Sequence, residues 1–220
     1  NAMSQLDTTS VTLGMIRNKW GNYATNLNFK HIIDSTGKEI TADLDYARYD
    51  ADNSMKYRTS KYDTQNILRE TRNEDGLTGS KINIYSFKVD LIYPINKTSK
   101  FEAGLKSSYV NSNNDMRFDF LVGDNNTPVL DPTRTRNFVY KENINAAYIN
   151  YSKEFKKINM QLGLRMENTN GQGTLLGKDL LDRHYTNFFP SIFFRQKLAK
   201  NHQLGYSFSR RIDRPSYEDL

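Results

Sequence analysis

The chain has 220 residues, of which 37% are hydrophobic and 12% aromatic, and its formal charge is +6. It contains no cysteine, which excludes disulfide scaffolds, thiolate metal sites and cysteine nucleophiles. The basic residues are scattered along the chain, which favours a solvated surface over a nucleic-acid groove, so no nucleic-acid partner is predicted.

The N-terminal part begins with a segment that we exclude from the fold. Asn1-Ala2-Met3 is typical of an expression-tag remnant, so residues 4–220 are predicted to form the domain. The chain has no stretch of about 18 apolar residues, so the sequence predicts no transmembrane helix. The stretch SVTLGMI at 10–16 is the weakest of the predicted strands.

Most of the chain alternates between apolar and polar residues with a period of two, which is typical of β-strands with two unlike faces. Between Lys157 and Asn168, for example, Ile158, Met160, Leu162, Leu164 and Met166 alternate with polar residues and a glycine. In chain order the alternating segments are 22–30, 41–46, 85–93, 101–109, 157–168 and 203–209. Two further segments, 138–152 and 187–198, are β-like but carry apolar residues on both faces.

The connections between these segments alternate in length. Short turns are predicted at 34–38, 94–99, 153–157 and 199–202, and long polar loops at roughly 52–80, 112–137 and 169–186. In an up-and-down meander this places all short turns at one end of the sheet, as in transmembrane β-barrels. The predicted fold class is therefore all-β: an antiparallel up-and-down meander forming a partial transmembrane β-barrel of about eight or nine strands.

A barrel wall explains how a polar chain can have clean apolar stripes. The apolar stripe would face lipid and the polar stripe a wet lumen, so no dry protein core is needed. Aromatic residues near the strand ends, Tyr85 with Tyr93 and Phe101 with Tyr109, are predicted to form the two interfacial girdles.

No motif in the sequence indicates a catalytic or metal site. His31, His184 and His202 lack metal-ligand spacing, and the stretch at 170–180 departs from the phosphate-loop pattern and is predicted to be a flexible loop. Residues 50–54 begin like a calcium loop, but Met55 stands where that loop needs glycine. The predictions are no catalytic residues, no metal and no cofactor, with the ligand-binding residues unknown.

The C-terminal stretch from Phe189 to Leu220, which includes RRIDRPSY at 210–217, resembles the C-terminal barrel family of TonB-dependent outer membrane receptors, the outer membrane protein β-barrel group. The segments 86–115, 140–155 and 161–170 are also similar to that family. The resemblance implies a larger barrel in the outer membrane of a Gram-negative cell, with an N-terminal plug domain, the TonB complex, outer-membrane lipid and a nutrient ligand as partners. It also implies that the plug and the final strands are absent from residues 4–220.

Two alternatives remain open at this point. A soluble eight-stranded barrel that binds a small apolar ligand predicts that Phe87, Leu91, Met160, Leu162 and Leu164 converge on a shared cavity. An outer-membrane enzyme predicts a serine and a histidine within hydrogen-bond distance near the rim. The barrel-wall interpretation also leaves two sheet edges and an apolar face to cover, for which early closure into a small barrel is one solution.

Overall fold

The computed structural model describes residues 8–199 and 201–212, and nearly all of them lie in one antiparallel sheet. The strands are β1 (Thr8–Ile32), β2 (Glu39–Asp63), β3 (Leu68–Asn96), β4 (Ser99–Val122), β5 (Thr127–Leu130), β6 (Arg136–Glu154), β7 (Ile158–Leu175), β8 (Lys178–Ala199) and β9 (His202–Ser209). Their order is β1-β2-β3-β4-β6-β7-β8-β9, and the short β5 pairs with residues 119–122 at the C-terminal end of β4. The predicted all-β meander of about eight or nine strands is confirmed. No helix in the described part of the chain is long and apolar enough to cross a membrane.

The sheet is open. Among the described residues, β1 pairs only with β2 and β9 only with β8, so the early closure considered from the sequence does not occur. Every residue of both edge strands is exposed. The weak strand predicted at 10–16 is the first part of the continuous β1.

The three long polar loops predicted from the sequence are wrong, because most of these residues extend the strands as hairpins. β2 and β3 continue to a tight turn at 64–67, and β7 and β8 meet at a two-residue turn of Leu176 and Gly177. Both turn residues have positive φ, 52° and 75°, as a hairpin turn of this length requires. In these segments both faces of the strands carry serine, threonine, asparagine and lysine, so the sequence lacks the alternation that indicates a strand. The backbone N–H and C=O groups are nevertheless paired between neighbouring strands. The predicted flexible loop at 170–180 is such a hairpin.

The connection between β4 and β6 is a hairpin interrupted by a bulge. β5 pairs with β4 at 119–122 and β6 pairs with it at 99–116, while residues 131–135 protrude between the two. The Asp131 amide donates to the Phe118 carbonyl at 2.8 Å, and the Phe118 amide donates to Thr135 Oγ1 at 3.2 Å. The bulge is therefore tied to β4 and occupies a fixed place on the sheet.

Candidate functional site

The register of the strands brings nearly all the apolar stripes onto one face, which we call the outer face. Leu27 of β1 pairs with Leu44 of β2, and Leu44 with Phe87 of β3. Further along the sheet, Ile149 pairs with Leu164 and Ile192 with Phe208. We call the apolar part of this face the apolar belt. It comprises Tyr23, Leu27, Phe29, Ile40, Ala42, Leu44, Tyr46, Tyr85, Phe87, Val89, Leu91, Tyr93, Phe101, Ala103, Leu105, Tyr109, Ala147, Ile149, Tyr151, Met160, Leu162, Leu164, Met166, Phe188, Pro190, Ile192, Phe194, Leu204, Tyr206 and Phe208.

The two faces have opposite burial. In the apolar belt Leu27 is 68% exposed and Leu105 is 62% exposed, whereas Ile82 and Val110 on the opposite face are 6% and 3% exposed. A sheet curved toward its polar side produces this difference, because side chains crowd on a concave face and spread on a convex one. We call the crowded face the inner face.

This arrangement contradicts the soluble barrel. Phe87, Leu162 and Leu164 are 48%, 40% and 44% exposed, and register places Leu91 and Met160 on the same outer face. These side chains point away from the concave side, so they do not meet in a shared interior cavity.

Aromatic rings border the apolar belt at both ends. At the end near the hairpin tips, Tyr46 lies 5.0 Å from Tyr85 and Tyr85 lies 6.4 Å from Tyr109, measured between ring centroids. At the end near the short turns, Tyr93 pairs with Phe101 and Phe101 with Tyr151. The span from Tyr85 to Tyr93 is nine residues, within the range of about 9–11 that a tilted strand needs to cross a bilayer. The two girdles predicted from these residues are thus formed.

The border of the apolar belt is oblique to the strands. On β1 the belt starts at Tyr23. Following the paired residues straight across the sheet from Tyr23 leads through Arg48 of β2 to Asp182 of β8. Phe208 starts the belt on β9 and pairs with Ile192, ten residues beyond Asp182 on β8. Between β1 and β9 the border therefore shifts along the strands by ten residues of about 3.4 Å each, while it crosses seven strand spacings of about 4.8 Å each. These two distances are nearly equal, so the border is inclined by about 45° to the direction across the strands. Strands of outer-membrane barrels tilt by about 35–45°, so one flat apolar slab fits all eight strands.

Polar pairs and close-packed rings fill the inner face. Lys88 pairs with Asp90 along β3, and Arg165 pairs with Glu167 along β7 at 2.6 Å. The Tyr148 hydroxyl donates to Asp90, and to reach it the ring crosses Gly104 of the strand between them. A Cβ on Gly104 would lie 2.5 Å from both the Tyr148 ring and Asp90 Oδ1. Glycine within a strand pattern signals this kind of close approach, and the sequence could have shown it.

A cluster of ion pairs around Arg134 lies on the inner face, near the hairpin tips. The Arg134 guanidinium bonds Asp131 at 2.7 Å and Glu74 at 3.0 Å, and it lies 4.6 Å from the centroid of Phe118. Arg134 comes from the bulge and Glu74 from β3, so the cluster joins the bulge to the neighbouring hairpin. The sequence does not reveal this cluster, because Glu74, Asp131 and Arg134 fall in segments with the polar composition of loops and no local motif links them.

An open recess of about 650 Å³ adjoins this cluster. Its walls include Phe118, Arg134, Arg136, Phe138 and Asn114, a mixture of aromatic, basic and amide side chains. Small-molecule sites have similar volumes and combine apolar walls with a few polar groups.

We expect Arg134→Ala to lower the free energy of local opening of the bulge by about 1 kcal/mol, because two ion pairs and the contact with Phe118 are lost together. Limited proteolysis within 131–135 measures this as faster cleavage. Arg69→Ala is the matched control, since its pair with Asp63 lies on an exposed hairpin and Arg69 is 63% exposed. Equal cleavage rates in the two variants would contradict the role of Arg134.

Acid should release the same bulge only at very low pH. Hydrogen bonds from Thr133 and Arg134 lower the pKa of Asp131 from 3.8 to about 2. Because the folded pKa is the lower one, this stabilisation is complete above pH 3.8 and is lost as the pH falls through about 2. Hydrogen exchange of residues 131–135, corrected for intrinsic rates, should keep its protection down to about pH 3. Loss of protection near pH 4 would contradict the lowered pKa. In Asp131→Asn we expect weaker protection that does not change with pH over this range.

The histidines and the other motif residues are dispersed. The His184 ring contacts Asn170 at 2.7 Å and Asp182 at 2.8 Å, whereas His31 stacks on Phe29. Residues 50–54 lie within β2, where Asp50 bonds Arg48. The Arg210 amide donates to the Pro190 carbonyl at 3.2 Å. Asp213 to Tyr217 of the C-terminal motif lie outside the described residues, as does the segment 1–3.

Comparison with solved structures gives three examples of similarity. The ferric citrate transporter FecA in its unliganded form is 11% identical with a TM-score of 0.42, and the match covers 76% of this chain and 26% of that chain. The ferric yersiniabactin uptake receptor FyuA from Yersinia pestis is 9% identical with a TM-score of 0.39, over 89% and 36%. BauA, the ferric preacinetobactin receptor from Acinetobacter baumannii, is 11% identical with a TM-score of 0.33, over 74% and 28%. The chain thus spans roughly a quarter to a third of each of these proteins. No curated protein matches it significantly in sequence.

The model of the outer membrane protein beta-barrel family matches residues 31–220, which include strands β2 to β9. This match agrees with the exposed apolar belt, the polar inner face and the oblique border. The chain belongs to the outer membrane protein β-barrel family and is a protein of the Gram-negative outer membrane.

Proposed function

We propose that this chain is part of the wall of a TonB-dependent receptor that imports a nutrient ligand. The observation that carries the proposal is the unlike pair of faces: an apolar belt that fits lipid, and an inner face of charged and hydrogen-bonding groups that fits a wet lumen. In this role the inner face contacts an N-terminal plug domain, and the TonB complex acts on that plug. The wall contributes no catalysis.

The hairpins beyond the apolar belt give this receptor its outer vestibule. From Tyr46 to the β2–β3 turn the hairpin runs 17 residues past the belt, from 46 to 63, whereas the opposite turns follow the belt closely. The recess beside Arg134 lies on the inner face of this outer part, so it is our candidate for ligand contact. The nutrient belongs to one of the classes that such receptors import: metal chelates, cobalamins, glycans or peptides.

The test is growth of a strain whose only receptor of this class is the full-length protein that contains this chain. Ferric citrate, cobalamin, maltooligosaccharide and a tripeptide are supplied in turn as the limiting nutrient, each with and without a functional TonB. The proposal predicts that at least one nutrient class supports growth only when both the receptor and TonB are present. Growth that never depends on the pair would refute it.

A further inference from the structure

The short-turn end of the sheet is strongly basic, whereas the hairpin end is not. In the described segments 30–39, 94–102, 153–159 and 195–199 there are nine Lys and Arg residues and four Asp and Glu residues. The longest hairpin, residues 50–80, has five Lys and Arg residues and six Asp and Glu residues. The positive charge is therefore concentrated where the apolar belt ends near the short turns.

Most carboxylates at this end already have partners. Lys38 bonds Asp34 at 3.0 Å, and Lys30 bonds Glu39 at 2.7 Å. Lys100 bonds Glu102 at 2.8 Å. These three pairs leave Glu154 as the one remaining carboxylate of the described turn-end segments.

Four of the remaining cations form a group that we call the lysine cluster: Lys97, Lys153, Lys156 and Lys157. They lie on two turns that touch each other, since the Glu154 amide donates to the Thr98 carbonyl at 2.7 Å and Lys153 Nζ donates to Thr98 Oγ1 at 3.2 Å. In the described part of the chain none of the four forms an ion pair. These four ammonium groups are therefore open to an anion from outside the described part of the chain, and Lys153 Nζ also lies 5.8 Å from the centroid of the Phe155 ring.

The lysine cluster lies at the depth of lipid headgroups. Lys153 is on the outer face, two residues beyond Tyr151 of the turn-end aromatic row, so it lies about 7 Å further along the strand. Lys153 pairs directly with Met160 of the apolar belt across β6 and β7. Apolar and aromatic side chains of the belt, Met160 and Tyr151, thus lie beside Lys153 on the outer face, as a lipid with an acyl chain and an anionic headgroup requires.

We propose that the lysine cluster binds anionic phospholipid, of the phosphatidylglycerol type, in the leaflet next to the short turns. The ammonium groups take the phosphate, while the adjacent belt residues contact the acyl chains. This interaction anchors the wall at a fixed depth, and it does not require ligand import.

The test uses the full-length protein in nanodiscs of phosphatidylcholine with one fifth phosphatidylglycerol. After delipidation with mild detergent, native mass spectrometry gives the ratio of the two lipids that remain bound. We expect phosphatidylglycerol to be enriched about twofold over its bulk fraction, and 0.5 M salt to reduce the enrichment. In the variant K153Q/K156Q/K157Q the ratio should fall to the bulk value.

The matched control is K56Q/K61Q/K178Q, which removes the same charge from hairpins at least ten residues past the apolar belt. It should keep the wild-type enrichment. The proposal is overturned if the wild type shows no enrichment, if the cluster variant keeps it, or if both variants lose it equally. Nutrient-dependent growth is measured separately from lipid binding. A missing lipid enrichment therefore does not affect the receptor proposal, and a missing TonB-dependent growth does not affect the lipid proposal.

Discussion

Replacing Leu105 by arginine should destabilise the full-length barrel in a bilayer by about 2–4 kcal/mol, the cost of a basic side chain at the midplane of the lipid face. Leu105 lies at the middle of the β4 section of the apolar belt, between Phe101 and Tyr109, and is 62% exposed. The described residues leave most of the Leu105 side chain uncovered, so the guanidinium must reach the interface or draw water into the hydrocarbon. Urea titration of folding into phospholipid vesicles measures the difference.

The control places the same arginine on the other face of the same strand. Ser108 lies on the polar inner face, three residues further along β4, and it is half-buried. Ser108→Arg should cost much less than Leu105→Arg, because the lumen is wet. If the two substitutions cost the same, the outer face does not contact hydrocarbon.

Replacing Gly104 by alanine should cost about 1–3 kcal/mol by overpacking. The added methyl would occupy the space that the Tyr148 ring needs to cross β4 and reach Asp90. Either the ring moves and the hydrogen bond is lost, or the two strands shift apart. Equilibrium unfolding in vesicles gives the free energy of unfolding, and Gly21→Ala is the matched control, since its Cβ would meet nothing within 4 Å.

A double-mutant cycle separates the clash from a general effect of glycine in a strand. In a Tyr148→Ala background the cost of Gly104→Ala should shrink, because the ring that opposes the methyl has been removed. A cost that is unchanged in that background would mean that Tyr148 is not what makes glycine necessary at 104.

The sequence predicted the part of the fold that the membrane determines. In strand 157–168 every second side chain lies on the outer apolar face and the others lie on the polar inner face, so the amino-acid pattern records the two faces directly. The same holds for Tyr85 with Tyr93, whose amphipathic rings belong at the two interfaces.

Beyond the apolar belt both faces of a hairpin are wet, so the residues of 52–80 needed no alternation and were misjudged as a loop. The bulge at 131–135 and the Arg134 cluster depend on contacts between β3, β4 and the bulge. No local pattern predicts such contacts, because residues far apart in the chain form them. The lysine cluster is intermediate: its charges are visible in the sequence, but only the pairing of Ser99 with Lys153 brings the two turns together.

The orientation of the two faces is tested most directly by spin-label accessibility along β4. Single cysteines are placed one at a time from 101 to 109, except at Gly104, in a cysteine-free form of the full-length protein in vesicles; residues 1–220 themselves contain no cysteine. We predict high oxygen accessibility at odd positions, which face lipid, and high accessibility to a water-soluble nickel chelate at even positions, which face the lumen. The reverse pattern, or no period of two, would contradict a barrel wall whose apolar belt contacts lipid.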